Sequence, residues 1–393
     1  MMAWRTLRIT PLDTLFFREP RPFTAGQQTD ARSLFPPTSL TMQGMLRSLI
    51  LAHHAPQALS RRGALPPDVS TVIGQIGGAV GTLRLRGPWL VHGESWLLPA
   101  PLDLVMPAEA PGVAIQEARA FAPTHRDRTA DTCSLPGRLR ALVPPVGWTE
   151  FHAVGGWLSW PAFRQYLEGE PLQIERGVTW FEPSDLWVEE LRPGIGIDEQ
   201  RNRAKDSLLY FARHVRLQAG VSLGVEVGGL GDLSAPWKAP VFASLGGEGK
   251  AVVVEAATAP PPWRDYPARA AKSMKLVLTQ PAWFTAGWHP SWMECEAGTA
   301  TIGGRSCEWV GARVERSVRI GGWDLARRGP RPLRPFVPAG SIYYLDGVAA
   351  DQWPMIWDAS ITESPAGADG LSERFDQIGF GHVLAGQWAY QEG

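Results

Sequence analysis

Near its start the chain alternates apolar and polar positions, with Leu7 and Ile9 set between Thr6, Arg8 and Thr10. A period of two reads as a half-buried strand. The stretch from Pro11 to Pro37 keeps no period and is expected to be mostly loop. After Pro36 and Pro37, Thr38 or Ser39 can cap a helix whose apolar residues Met42, Met45, Leu46, Leu49 and Ile50 recur at i, i+3, i+4, i+7 and i+8. Pro56 lies beyond its end, and the spacing puts Gln43 and Arg47 together on another face. A shorter helix is predicted over Trp160 to Leu167, stopped by Gly169 and Pro171. Phe211, Val215 and Leu217, then Ala219 and Gly220, then Val221, Leu223, Val225 and Val227 predict an antiparallel hairpin with one buried face. Further strands are expected at Ala251 to Val254, Lys275 to Leu278 and Ser341 to Leu345.

With 393 residues the expectation is two packed units with real cores. The 42 Gly, 35 Pro and 18 Trp suit short strands joined by long loops better than a helical bundle. The fold class is therefore α+β with antiparallel sheets. Pro260, Pro261, Pro262 and Pro267 mark residues 256–267 as a linker between an N-terminal part, 1–255, and a C-terminal part, 268–393. Within the first part, about residues 100–150 read as an insertion, and the basic, proline-containing stretch Arg119 to Arg140 as an arm. No repeat of 20 to 50 residues is visible.

The 38 Lys plus Arg against 39 Asp plus Glu give a net charge of −1, which argues against a protein that coats nucleic acid over its whole surface. The charge is unevenly laid out. Residues 1–62 hold eight Arg and three acids, residues 305–334 likewise hold eight Arg and three acids, and residues 345–393 hold eight acids with only Arg374. That layout suits one basic and one acidic surface, each with its own partner. Only five of the basic residues are Lys. Arginine offers a planar fork to phosphate, although a GC-rich genome produces the same bias.

Cys133, Cys295 and Cys307 fit neither a disulfide framework nor a four-ligand zinc site, and HExxH is missing. No run of eighteen uncharged apolar residues occurs. The expectation is a cytoplasmic protein with no metal, no cofactor and no membrane partner. The Walker-like fragment Gly246 to Ala251 lacks the glycine offset and the hydroxyl that magnesium needs, and reads as a turn. There is no GxSxG elbow. His53 and His54, just past the first helix, could act as acid and base in RNA cleavage, but histidines at a helix end are commoner than catalytic pairs.

Two segments suit a phosphate backbone. Pro11 to Phe23, PLDTLFFREPRPF, offers guanidinium forks at Arg18 and Arg21 and a ring face at Phe23. Its sequel, Phe35-Pro36-Pro37 and then Gln43-Gly44-Met45-Leu46-Arg47-Ser48, sets a glycine beside an arginine on the predicted helix. Near the C-terminus, Gly379 to Gly386 forms a glycine-rich loop around His382, which reads either as a backbone cradle for phosphate or as a tight bend between strands.

The pairing of PLDTLFFREPRPF with FPPTSLTMQGMLRS resembles the signature of the RAMP superfamily of CRISPR effectors. It is most similar to the type III-B (Cmr) subunits that cap the 5′ end of the guide RNA. Agreeing segments follow in order: Leu191 to Asp198, Leu209-Tyr210, Trp283 to Trp288, Gly321-Gly322-Trp323-Asp324, Pro338 to Ser341 and the loop at Gly379 to Gly386. Ser207 departs from the pattern, where a glycine is expected. The resemblance implies two ferredoxin-like (RRM-like) βαββαβ domains with long loops and insertions, and no catalysis. It implies partners as well: the repeat-derived 5′ tag of the guide RNA (crRNA), the large polymerase-like subunit and a neighbouring backbone RAMP subunit. The RNA-binding set expected on this basis is Arg18, Arg21, Phe23, Gln43, Gly44, Arg47, Ser48, Arg192, Gly194, Arg201, Gly379, Gly381, His382 and Gly386. Two other classes stay open: a RAMP endoribonuclease that processes precursor RNA through His53 and His54, and a carbohydrate-binding or glycoside-processing protein suggested by the tryptophans and carboxylates.

Overall fold

The computed structural model describes residues 3–19, 30–60, 65–75, 81–108, 115–124, 137–198, 203–233, 235–266, 270–324, 329–365 and 374–391. Two compact units result, each assembled from three stretches of chain. The first comprises Met1–Glu94, Pro183–Pro260 and Arg319–Arg334, and the second Ser95–Glu182, Pro261–Val318 and Pro335–Gly393. Residues 95–182 thus group with the second unit, whereas the sequence pattern placed them in the N-terminal part. The crossing at Pro260 and Pro261 falls in the expected linker. Trp263 within it is fully buried in the second unit, 5.7 Å from both Trp96 and Trp160, so this stretch is anchored and not a free spacer.

In the first unit, β1 (Arg5–Pro11) buries Leu7 and Ile9 as its alternation requires. The short β2 (Asp30–Ala31) precedes the 16-residue helix α1 (Ser39–His54), and β3 (Arg84–His92) follows. Next come two long strands, β4 (Trp187–Asp198) and β5 (Arg203–Leu217), then β6 (Val221–Gly228), β7 (Val241–Ser244) and β8 (Ala251–Ala256). The main sheet runs β3-β6-β1-β8-β7, antiparallel throughout. A second sheet runs β4-β5-β2.

The hairpin expected of Phe211–Leu217 with Val221–Val227 does not form. β5 pairs with β4, and β6 pairs with β1 and β3. The turn at Gln218 to Gly220 hands the chain from one sheet to the other: Gln218 donates its N–H to the Leu186 carbonyl, and Gly220, at φ +79°, accepts from Gly93. Every position of β6 is buried, because this strand lies inside the sheet with both faces covered, which is why its composition is mostly apolar; of its polar residues, Ser222 and Glu226, the latter pairs with Arg86 at 3.7 Å.

In the second unit the central strands are β9 (Met274–Leu278), β10 (Arg305–Arg313), β11 (Ile342–Asp346) and β12 (His382–Gln387), in the order β10-β11-β9-β12 and all antiparallel. Helix α2 (Trp160–Leu167) forms where its pattern predicted and packs on β12. The four-residue α3 (Phe375–Ile378) leads into β12. The described ends of the expected Arg119–Arg140 arm are folded into this unit: Ile115–Ala120 pairs with Leu172–Glu175, Leu139 is buried, and Arg140 bonds Glu308 at 3.0 Å. Residues 125–136 lie outside the described residues. No described helix is long and apolar enough to cross a membrane.

Candidate nucleic-acid interface

Helix α1 turns its apolar stripe inward as predicted, and Ser39 donates its hydroxyl to the Gly87 carbonyl at 2.7 Å. Gln43 departs from expectation: it is buried, not paired with Arg47 on the outer face. The cause is helical geometry, since Gln43 follows Ser39 by four positions and precedes Leu46 by three, both of them inward. What remains outside is Gly44, Arg47 and Ser48, spaced i, i+3 and i+4, with Gly44 and Ser48 exposed and Arg47 half-buried. A Cβ added at Gly44 would meet no atom within 4 Å. A glycine inside a helix costs about 1 kcal/mol relative to alanine, and here the packing of the chain itself does not call for one.

The Nε of Arg47 is buried and has no hydrogen-bond partner among the described residues. Burial pushes its guanidinium below the ordinary arginine range, the neighbouring Arg331 charge pushes the same way, and Asp324 opposes. Arg331 in turn pairs with Asp324 at 3.4 Å. Both belong to a short hairpin in which Trp323–Asp324 pairs with Gly329–Pro330.

Arg192 sits on β4 in a closed quartet of charges. It reaches Glu190 at 2.8 Å and Asp13 at 3.2 Å, while Arg216 reaches Glu190 at 2.7 Å and Asp13 at 2.9 Å. These bonds raise both guanidinium pKa values and hold Glu190 below the usual carboxylate range, while Asp13 is lowered first by the Thr14 backbone N–H and then by the two arginines. Arg18 is exposed beside the same sheet, bridging to Ser33, whose hydroxyl bonds the Arg213 carbonyl on β5. Gly194 lies opposite Tyr210, whose ring covers the place a Cβ would take. Arg21, Phe23 and Arg201 lie outside the described residues.

The C-terminal loop fits the bend reading. Gly379 closes α3 in the left-handed region at φ +108°, a Cβ at Gly381 would come within 2.4 Å of Thr362, and one at Gly386 within 2.7 Å of the Leu167 carbonyl. Each glycine is therefore required by internal contacts. His382 is turned inward: its ring is buried, with Nδ1 2.6 Å from the Thr279 hydroxyl and Nε2 2.7 Å from Asp358, so both nitrogens have partners inside the unit.

Residues 7–388 match the profile of the CRISPR-associated protein family Cas_Cmr3. The chain belongs to the Cas_Cmr3 family. It is a RAMP-like subunit of type III CRISPR effector complexes, as the ordered motifs implied. No curated protein matches it in sequence. Among solved structures, this Cas_Cmr3 chain is similar to one in the cryo-EM structure of the type III-B Cmr-beta complex bound to cognate target RNA, at 16% identity over 86% of each chain with a TM-score of 0.47. It is similar also to chains of a Csm3-Csm4 subcomplex of the type III-A interference complex, at 10% identity over 98% of this chain and 99% of that one with a TM-score of 0.42. A Csm1-Csm4 cassette with AMPPNP gives 11% identity over 99% of each chain and a TM-score of 0.38.

Other chemistry in the Cas_Cmr3 chain is turned inward. The first unit has a second hydroxyl–imidazole–carboxylate chain, Thr14 to His214 at 3.0 Å and His214 to Glu248 at 3.4 Å, in which the hydroxyl and the imidazole are buried and the carboxylate is exposed. Thr14 and Thr279 are each 1% exposed, so neither hydroxyl faces a substrate. In the second unit Asp103, Tyr166, Tyr344 and Lys275 form a fully buried cluster. His53 and His54 pack edge to face with each other, ring centroids 4.7 Å apart, on the last turn of α1. Nine of the 18 tryptophans are core residues, which accounts for much of the aromatic content that suggested a sugar site. Arg331 was not singled out from sequence. The Gly-Gly-Trp-Asp motif and the basic run at 305–334 stood next to it, but only the fold brings it to Arg47.

Proposed function

We propose that this Cas_Cmr3 chain is the non-catalytic RNA-binding subunit that recognises the repeat-derived 5′ tag of the guide RNA. In this role it docks the RNA onto the large polymerase-like subunit, beside a backbone RAMP subunit. The observation that carries the reading is the outer face of α1. A glycine that internal packing does not require and a half-buried arginine with an unmet donor together make a surface on which a phosphate can come close to a helix. The strand orders support a ferredoxin-like ancestry for both units. Numbered by their sequence within each unit, the four central strands lie second-third-first-fourth in both cases. The first unit has its helix between the first and second strands. The second has short helices between the third and fourth, so each is a partial βαββαβ. Sheets of this kind suit single-stranded RNA, whose phosphates follow a basic path while its bases splay outward. The acid-rich residues 345–393 are suited to a basic partner surface.

The test is capture of the protein from its host followed by sequencing of the bound RNA, paired with direct titration of tagged and tag-scrambled guides. Reads that begin with repeat-derived nucleotides, and tighter binding of the tagged guide, are expected. Equal affinity for the two guides would sink tag recognition.

A further inference from the structure

We infer that the outer face of a four-stranded sheet in the second unit is a further contact for single-stranded RNA, where unpaired bases stack against the rings of Phe121, Trp148 and Phe151 and the guanidinium planes of Arg119 and Arg313. The ligand class rests on the RNA-binding reading above. The site is separate from α1 and needs no recognition of the tag.

The sheet is built from Leu172–Glu175, Ile115–Ala120, Leu104–Pro107 and Phe151–Ala153, in that order and antiparallel throughout. Register decides which side chains share a face. Val105 stands opposite both Arg119 and Ala153, so Arg119 projects from the same side as Phe151, which lies two positions before Ala153. Ile115 and Gln173 share that side and are exposed. The other side is core, where Ala118 pairs with Leu172 and both are buried together with Leu104 and Ile174.

Two arginines lie over rings at this face. Arg313, the last residue of β10, holds its guanidinium 5.4 Å from the centre of the Phe121 ring, and Phe121 meets Phe151 edge to face at 5.3 Å. The Arg119 guanidinium lies 5.6 Å from the centre of the Trp148 ring. All three rings are half-buried, so the fold leaves part of each in water. A guanidinium stacked on a ring keeps its N–H edge for a phosphate and its second face for a base.

Charge selects the occupant. Arg119 is bound by Glu117 at 2.7 Å, which fixes its plane and offsets its charge. Arg313 is exposed and has no ion pair among the described residues, and Glu315, two positions on, is exposed without pairing to it. One uncompensated cation beside three half-open rings suits a ligand that brings a negative charge and a π surface in every repeating unit, which is a single-stranded nucleic acid. A duplex cannot use the rings, because its bases are already stacked on one another.

The experiment titrates the full chain, by fluorescence anisotropy at several salt concentrations, into a labelled oligouridine of about 20 nucleotides and a blunt RNA duplex of equal length. The proteins are the wild type, Arg313→Gln, Arg313→Lys and Phe151→Leu, each with its thermal midpoint measured. Arg313→Gln should weaken oligouridine binding about tenfold and flatten the salt slope by about 0.7, the single-strand value for one phosphate. Arg313→Lys should keep the slope and lose part of the affinity, since an ammonium has no plane. Phe151→Leu should weaken oligouridine binding about fivefold to tenfold with the slope unchanged, because stacking releases no counterion. The duplex should bind more weakly than oligouridine to the wild type and respond less to Phe151→Leu.

Wild-type affinity and slope for oligouridine in Arg313→Gln would overturn the inference. Equal losses on oligouridine and duplex in Phe151→Leu would do the same, as stacking would then play no part. If Phe151→Leu fails to fold, the exposed site at Arg313 decides through its two variants. Unchanged RNA binding in every variant, together with failed assembly with the other subunits of the complex, would make this face a protein interface instead. Tag preference is read separately, from tagged and tag-scrambled guides: its absence in the wild type, with the oligouridine effects intact, defeats tag recognition and leaves this face standing. A wild-type chain that binds no single-stranded RNA defeats both.

Discussion

The Nζ of Lys275 lies 3.4 Å from the centre of the Tyr166 ring, and the Tyr166 hydroxyl donates to both oxygens of Asp103 at 2.9 Å. Tyr344 donates to the same carboxylate. A cation, an anion and two phenols are thus sealed in the second unit, where each depends on the others for the contacts that water would otherwise supply.

Burial lowers the Lys275 pKa to about 8 from 10.5, with the Asp103 charge opposing. Between those values the unfolded chain binds the extra proton, so the Lys275 contribution to stability rises with pH across the window and is lost as pH falls through 8. Burial raises Asp103, with the Lys275 charge and the Tyr344 and Tyr166 hydroxyls opposing. Tyr166 and Tyr344 are raised and act only above about pH 10, while Cys307, pushed up to about 11, works against Lys275 from about pH 9. The clean observable is a difference. Urea midpoints of wild type minus Lys275→Met should climb between pH 8 and about 9.5. A flat difference would show that Lys275 titrates as it does in water.

Removing the anion is the harsher change. Asp103→Ala leaves a buried ammonium unpaired and two hydroxyls without an acceptor, and should cost about 3–5 kcal/mol in urea unfolding at neutral pH. Tyr344→Phe removes one donor and should cost about 1–3 kcal/mol. A loss from Asp103→Ala no larger than that from Tyr344→Phe would mean that the carboxylate is not the hub.

Gly44→Ala separates folding from binding. With open space at the Cβ, the variant should gain about 0.5–1 kcal/mol of stability from helix propensity. It should nonetheless bind tagged guide RNA less tightly, because the methyl group occupies the approach to the helix. A variant both more stable and equally competent for RNA would remove Gly44 from the interface.

Gly386→Ala should do the reverse. Its methyl group would press on the Leu167 carbonyl, so a loss of about 1–3 kcal/mol is expected from overpacking. His382→Ala should likewise destabilise by about 1–3 kcal/mol through the unmet Thr279 and Asp358 groups. RNA affinity measured well below each melting temperature should stay at the wild-type value, and a selective loss of affinity would return this loop to the binding surface.

Local patterns were legible in the sequence, and partners were not. Alternation found β1, and the 3.6-residue period found α1 and α2 with their inward residues, because those signals are written within a few positions of each other. The same period, followed one residue further, turns Gln43 inward. Pairing was misread at Leu217 and Val221 because a turn between two strands looks alike whether the strands join or part. The partner of β5 was β4, whose Pro193, Gly194 and charged positions hide its extended form. His382 offered no local sign of burial, since Thr279 lies 103 residues away and Asp358 24. Arg47 was marked by its neighbour Gly44, whereas Arg331 is brought to it only by the return of residues 319–334 to the first unit.

That return has a consequence for synthesis. By the time Ala256 leaves the ribosome every strand of the first unit's main sheet exists, and α1 can dock. Asp324 and Arg331 are made only after β9 and β10 of the other unit. A truncated product that stops anywhere before Gly322 therefore exposes Arg47 without its charged neighbours.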